Sequence, residues 1–341
     1  MSPHSMTTLI IGAGTAGAAL AVLLARDGHE VALIGPPPER EAQRIGECLP
    51  GFAAHWLRRH ALPGPLDPDS PHWTIPGSIT AWNGPPLAKS YLGDPWGAHF
   101  RLDRQAFDQR LYDAALSAGA KAHPGLSVAR ERTAQGWTVT LASGESLAGD
   151  LLVDATGRRA WATREWRSGE EQQPPLIGVW AVGRKTQLKD RRTVTETGSA
   201  GWWYGCLLPA GRALACLHCD KETAAALIRE PRRWWALLVE TKILPRIAAP
   251  DDFVDARPRG TDARGVMRRP LVGERWIAIG DAALAFDPIA SHGISFALFS
   301  AQAAHRWIAS QDAEAYAAFC EEQWRAYSEH RAEFYAEPSS P

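Results

Sequence analysis

The chain has 341 residues, 37 of them basic and 38 acidic, for a formal net charge of −1. That length accommodates one large domain or two closely joined ones, and the charge balance leaves no footprint for nucleic acid or an anionic membrane. Five scattered cysteines, an odd number, suit a reducing cytoplasm and not a disulfide framework.

No secretory leader and no transmembrane span are expected, so a cytoplasmic protein is the expectation. The N-terminal MSPHSM lacks a basic region, and the longest apolar run, LIIGAGTAGAALAVLLA, is rich in glycine and continues directly into charge.

Residues 7–34 read strand, glycine turn, helix, strand. Gly12-Ala-Gly14-Thr-Ala16-Gly17 is a GxGxxG turn in the context that a dinucleotide requires. Gly12 allows the tight turn, Gly14 lets the backbone approach a pyrophosphate, and Gly17 lets helix and strand pack closely. The acid that usually ends the second strand and holds a ribose hydroxyl is replaced by Ile34-Gly35-Pro36, and the nearest acid is Glu39.

RIGECLPG (44–51) follows, and PGPLDPDSP (63–71) reads as a loop. HFRLDRQAFDQRLYDAALSAGA (99–120) reads as a strand tip, an Asp103-Arg104 corner and an amphipathic helix with Phe107, Leu111, Ala114 and Ala115 at helical spacing. DLLVDATGRRA (150–160) is a buried strand ending at Asp154. LIGVWAVG, RTVTET, GWWYGCLLP and RALACLHC, between 176 and 219, read as strands. Within CLHC, Cys216 and Cys219 stand three apart on a strand and point to opposite faces, which argues against a metal site. Fifteen tryptophans fit either core packing or an aromatic cavity. GDAALAFDPIASHGISFAL (280–298) turns twice before a helix whose free N–H groups favour an anion or a polarised ring oxygen. The segment 311–335 reads as a helix packed on the domain.

The ordered set GxGxxG, RxGExLP, LDRxxFD, DATGR, GWWY and GDAxxxFDP resembles the FAD-dependent monooxygenase superfamily of the hydroxybenzoate-hydroxylase type. Within it, the chain is most similar to the branch of flavin-dependent halogenases and of the flavoproteins that mature tryptophylquinone oxidases. The resemblance covers about residues 7–310. It implies an α/β fold, with a Rossmann-type FAD-binding domain (1–72, 100–172 and 265–310) interleaved with an antiparallel β-sheet substrate domain (73–99 and 173–264). A C-terminal helix and tail follow (311–341).

It also implies roles. Gly12, Gly14, Ala16 and Gly17 would hold FAD, and Asp281 would lie near its ribityl–pyrophosphate part. Pro288, Gly293 and Ile294 would pass the isoalloxazine ring, which Arg44 and Glu47 would flank, and Arg104 would touch the cofactor. His292 and Ser291 are the catalytic candidates, and Trp203 and Tyr204 the candidates for substrate contact.

The implied reaction is hydroxylation of an electron-rich aromatic ring through a flavin C4a-hydroperoxide. It would use O2 and either NAD(P)H or a separate flavin reductase. The substrate would be an indole or tryptophan, free or held by a protein or carrier. Flavin-dependent halogenation is the alternative, and a flavoprotein that binds and matures an oxidase is a further one. Two positions depart from the halogenase pattern. Tyr204-Gly-Cys206-Leu-Leu208-Pro209 breaks a WxWxIP strand, and Ala290 stands where tryptophan halogenases carry a glutamate. Lys89, in GPPLAKSYLGD, reads as solvated on a loop and not as a tunnel lysine.

Overall fold

The computed structural model describes residues 6–38 and 45–336. Arg44, Glu39 and the last five residues of the tail lie outside them. A parallel sheet runs Lys121–His123, Glu30–Ile34, Thr7–Ile11, Leu151–Asp154, Trp276–Ala278, with Val272–Gly273 antiparallel at its edge. Its central strands are buried along nearly their whole length because both faces are covered. Helix Thr15–Arg26 packs between helices Arg104–Ser117 and Gly293–Ser310. Asp103 caps the first of these flanking helices by accepting from Ala106 N at 3.0 Å.

The second large sheet has seven strands, in the order Arg259–Asp262, Ile177–Lys185, Arg212–Cys219, Gly201–Leu207, Thr193–Gly198, Gly77–Ala81, Leu87–Ser90. It departs from a purely antiparallel sheet at one place, where Thr193–Gly198 runs parallel to Gly77–Ala81. More than a hundred residues, including strands of the first sheet, separate these two strands, so no hairpin dictates their relative direction.

The two faces of this sheet do different things. Trp203, Leu217 and Cys219 point under helices Lys221–Arg229 and Pro231–Val239, in one core with Trp234. Trp180, Cys206, Leu214 and Cys216 form a cluster on the other face, against Ile45. Trp202 shares that other face and packs with Ile289 and Tyr335. Cys216 and Cys219 are free thiols on opposite faces, as strand geometry requires.

A small antiparallel sheet, Cys48–Leu49, His99–Arg101 and Trp73–Ile75, sits beside the large one. Segment 73–99 is therefore shared between two sheets. The C-terminal helix, Ala313–Tyr335, packs on Gly293–Ser310, and its last turn reaches Trp82 and Trp202. Among the described residues, no helix is long and apolar enough to cross a membrane, and no group of three or more His, Cys, Asp or Glu is arranged to hold a metal ion.

Candidate functional site

The glycine turn is packed to its limit. Gly12 has φ +115°, and a Cβ there would overlap the Ala155 carbonyl oxygen. A Cβ on Gly17 would overlap the Gly12 carbonyl oxygen, so the helix starts as close to the strand as the backbone allows. Gly14 is the N-cap of helix Thr15–Arg26, and no side chain caps that N-terminus. Gly280, at φ +56°, comes close enough that a Cβ would lie 3.0 Å from Ala16 Cβ. This approach brings Asp281 to the glycine turn. The Asp281 carboxylate is 3.7 Å from Arg158 Nε, and Arg158 also donates to the carbonyls of Arg264 and Phe286.

Beyond Asp281 the chain forms the turn Pro288–Ala290. Ser291 sits in the left-handed region at φ +51°, and His292 is the N-cap of helix Gly293–Ser310. Again no side chain caps the N-terminus, and a Cβ on Gly293 would meet open space. Two uncapped helix starts, a close-packed glycine cradle and open space at Gly293 together fit a ligand with a pyrophosphate at one end and an electron-rich ring at the other. His292 lies edge-on to Phe286 at 6.3 Å. Burial lowers its pKa, and His330 adds to that effect. Ser291 and Pro288 are exposed, and Ile294 is buried.

The loop at 45–47 is held from both sides. Arg104 Nη1 donates to the Gly46 carbonyl at 2.7 Å, and Nη2 pairs with Asp108 at 2.9 Å. The guanidinium thus grips the loop. Glu47 is 3% exposed, accepts from Gly46 N at 2.7 Å and from the Tyr204 hydroxyl at 3.3 Å, and has its pKa raised by burial. Arg101, also buried, donates to Tyr204 Oη at 2.7 Å, Cys48 Sγ at 3.0 Å and Thr193 Oγ1 at 2.8 Å. No motif marked Arg101. Only its pairing beside Cys48, in a sheet formed by distant segments, brings it to Tyr204.

The expectation for Trp203 is corrected. It is 1% exposed on the helix-covered face, edge-on to Trp234 at 5.3 Å. Its neighbours Trp202 and Tyr204 point the other way, because successive strand residues alternate. Trp202 stacks on His218 at 3.7 Å with 12° between the rings, and burial lowers the pKa of His218 to about 3. No motif marks His218. The pairing Trp202↔His218 depends on strand register, which the sequence does not display. Lys89 is exposed, but on the edge strand Leu87–Ser90 and not on a loop.

The tryptophan halogenase family model matches residues 51–336, most of the chain. The chain belongs to the tryptophan halogenase family. LodB of Marinomonas mediterranea, named as an FAD-dependent oxidoreductase, is 26% identical over 336 residues, which covers 96% of this chain and 91% of LodB. The 1H-pyrrole-2-carbonyl-[peptidyl-carrier protein] chlorinase of Pseudomonas fluorescens is 24% identical, covering 89% and 76%. Among solved structures, the flavin-dependent halogenase CmlS superposes with a TM-score of 0.82 at 22% identity, covering 98% of this chain and 66% of that one. The peptidyl tryptophan dihydroxylase QhpG superposes with a TM-score of 0.77 at 24% identity, covering 98% and 75%. The protein is an FAD-dependent oxidoreductase of mixed α/β fold, and the glycine cradle and the open space at Gly293 fit that cofactor.

Proposed function

We propose that the protein is a monooxygenase that hydroxylates an electron-rich aromatic ring, an indole or tryptophan side chain, held by a protein or carrier. The balance is one ring C–H, O2 and two reducing equivalents with two protons giving a phenol-type C–OH and water. Bound in reduced form, FAD supplies the electrons and the activation of O2. The reducing equivalents come from NAD(P)H or a separate flavin reductase.

The observation that carries this reading is the facing of two surfaces. The turn Pro288–Gly293 abuts, through Ile289, the sheet face bearing Trp202 and Tyr204. The N-terminus of helix Gly293–Ser310 would compensate negative charge on the reduced ring without a titrating side chain. Gly12, Gly14, Ala16 and Gly17 would hold the pyrophosphate, with Asp281 beside it, and Arg104 would set the loop carrying Glu47. The aromatic face would orient the substrate ring and keep water out. His292, biased toward its neutral form by burial, would accept the proton released from the ring.

A protein- or carrier-held substrate is supported by two of the similar proteins, whose names specify a peptidyl-carrier-bound pyrrole and a peptidyl tryptophan. Halogenation is the second reading, favoured by the family match and by the FxPxxSxG spacing of Phe286–Gly293. Against it, position 290 is a buried alanine with no carboxylate, and Lys89 is fully on the surface of an edge strand. The test is turnover in halide-free buffer with tryptophan-containing peptides and indole as probes. Oxygenated product formed without halide supports hydroxylation, and product that appears only with added chloride or bromide supports halogenation.

A further inference from the structure

We propose that Tyr335, at the end of the C-terminal helix, is a positioning residue that fixes the turn Pro288–Gly293 and couples it to the substrate face at Trp202. This rests on the reading that the turn faces the flavin.

A continuous chain of hydrogen bonds carries the proposal. Trp202 Nε1 donates to Tyr335 Oη at 2.9 Å. Tyr335 Oη donates to Asp287 Oδ2 at 2.8 Å. The other carboxylate oxygen of Asp287 accepts from Ile289 N, inside the turn, at 3.0 Å. Arg331, one helical turn before Tyr335, donates to the same Oδ2 at 3.1 Å. Tyr327 accepts from Asp287 N at 3.2 Å. Asp287 is 1% exposed, so its carboxylate makes these bonds at the edge of the core, where they are stronger than in water. The C-terminal helix therefore grips the turn at its base by three side chains.

The turn has need of a grip. Ser291 sits at φ +51°, a conformation that is unfavourable for a non-glycine residue and persists only where its surroundings impose it. The N–H groups next along the chain are those of the uncapped helix start. A small rotation of the turn would re-aim them.

The other end of the chain sits in the aromatic layer. Trp82 lies edge-on to Phe334 at 5.5 Å and to Tyr335 at 5.8 Å, and donates through Nε1 to the Phe334 carbonyl at 2.5 Å. Trp202 is pinned between Trp82 and His218. A substrate ring that displaces or stacks on this layer moves Trp202, and Tyr335 passes the displacement to Asp287. A purely anchoring role would hold the helix in place and leave the flavin's properties unaltered.

The test uses the full-length FAD-loaded protein, with Tyr335→Phe, Trp202→Phe and the double variant. Tyr335→Phe keeps the ring under Arg331, which stacks on it at 4.1 Å, and loses only the hydroxyl. The readouts are the midpoint potential of the bound flavin, the FAD dissociation constant and the melting temperature without FAD. The expected result is a lower potential in both single variants and FAD binding weakened about three- to tenfold in Tyr335→Phe, the range for one hydrogen bond. The double variant should match Tyr335→Phe, because both substitutions cut one chain. An unchanged potential in Tyr335→Phe, or additive shifts in the double variant, would overturn the proposal. If Tyr335→Phe does not fold, Trp202→Phe decides alone, and a wild-type potential overturns it. None of these readouts needs substrate or turnover, so a protein that halogenates leaves the proposal standing, whereas a wild-type protein that binds no FAD overturns both readings.

Discussion

The hydroxyl of Thr15, in the glycine turn, donates a 2.7 Å hydrogen bond to Asp108, 93 residues away on another helix. Asp108 also pairs with Arg104 at 2.9 Å, and Arg104 holds the Gly46 carbonyl at 2.7 Å. One carboxylate thus links the phosphate cradle to the loop that carries Glu47. Asp108→Ala leaves the Arg104 guanidinium, whose side chain is only 12% exposed, without its carboxylate but still bound to the Gly46 carbonyl, and should destabilise the fold by about 1–3 kcal/mol. Asp108→Asn retains an acceptor for Thr15 and should cost less. Urea denaturation of the two variants measures the difference.

Two glycines should separate folding from cofactor binding. Gly12→Ala forces a Cβ into the Ala155 carbonyl at φ +115° and should lower both the melting temperature of the FAD-free protein and FAD binding. Gly293→Ala meets open space in a helix's first position, where alanine is favourable. Its FAD-free melting temperature should equal or exceed the wild type, while FAD affinity should fall because the added methyl would enter the space proposed for the isoalloxazine ring. Fluorimetric FAD titration and thermal melts on both proteins check this.

Buried His218 should impose an acid limit on stability. Its pKa falls from 6.5 to about 3 through burial, so the unfolded chain binds the proton first as pH drops. Stability contributed by the neutral ring is complete above pH 6.5 and is lost as pH falls toward about 3. The loss amounts to about 2 kcal/mol by pH 5. His218→Phe keeps a ring against Trp202 and removes the titration, so its unfolding free energy should fall less between pH 7 and pH 5 than that of the wild type.

Trp203 and Lys89 test the assignment of faces. Trp203→Ala empties a core site against Trp234 and should cost about 3–5 kcal/mol in urea denaturation. Lys89→Ala removes an exposed side chain from an edge strand and should leave turnover unchanged in a coupled oxygen-consumption assay. A severe loss in the lysine variant would favour the halogenase reading.

The legible part of this protein was local. The glycine turn, the Asp103-capped helix and the strands from Ile177 to Cys219 announce themselves by spacing and period, because each is decided by near neighbours. The hidden part depended on partners far apart in the chain. Which of Trp202 and Trp203 faces the site follows from register with Leu217 and His218. Arg101 reaches Tyr204, 103 positions further along the chain, only because two sheets come together. The C-terminal helix was legible as a helix, but its hold on Asp287 was not, since Tyr335 and Arg331 carry no motif.

Oxygen transfer is the central claim, and isotope labelling tests it most directly. Purified FAD-loaded protein would be mixed with NADH, a flavin reductase, ¹⁸O2 and bromide, with tryptophan-containing peptides and indole as probes, and the products analysed by mass spectrometry. The account predicts an aromatic product carrying ¹⁸O and no bromine. A brominated product, or unmodified probes from a protein that holds FAD and consumes O2, would contradict it.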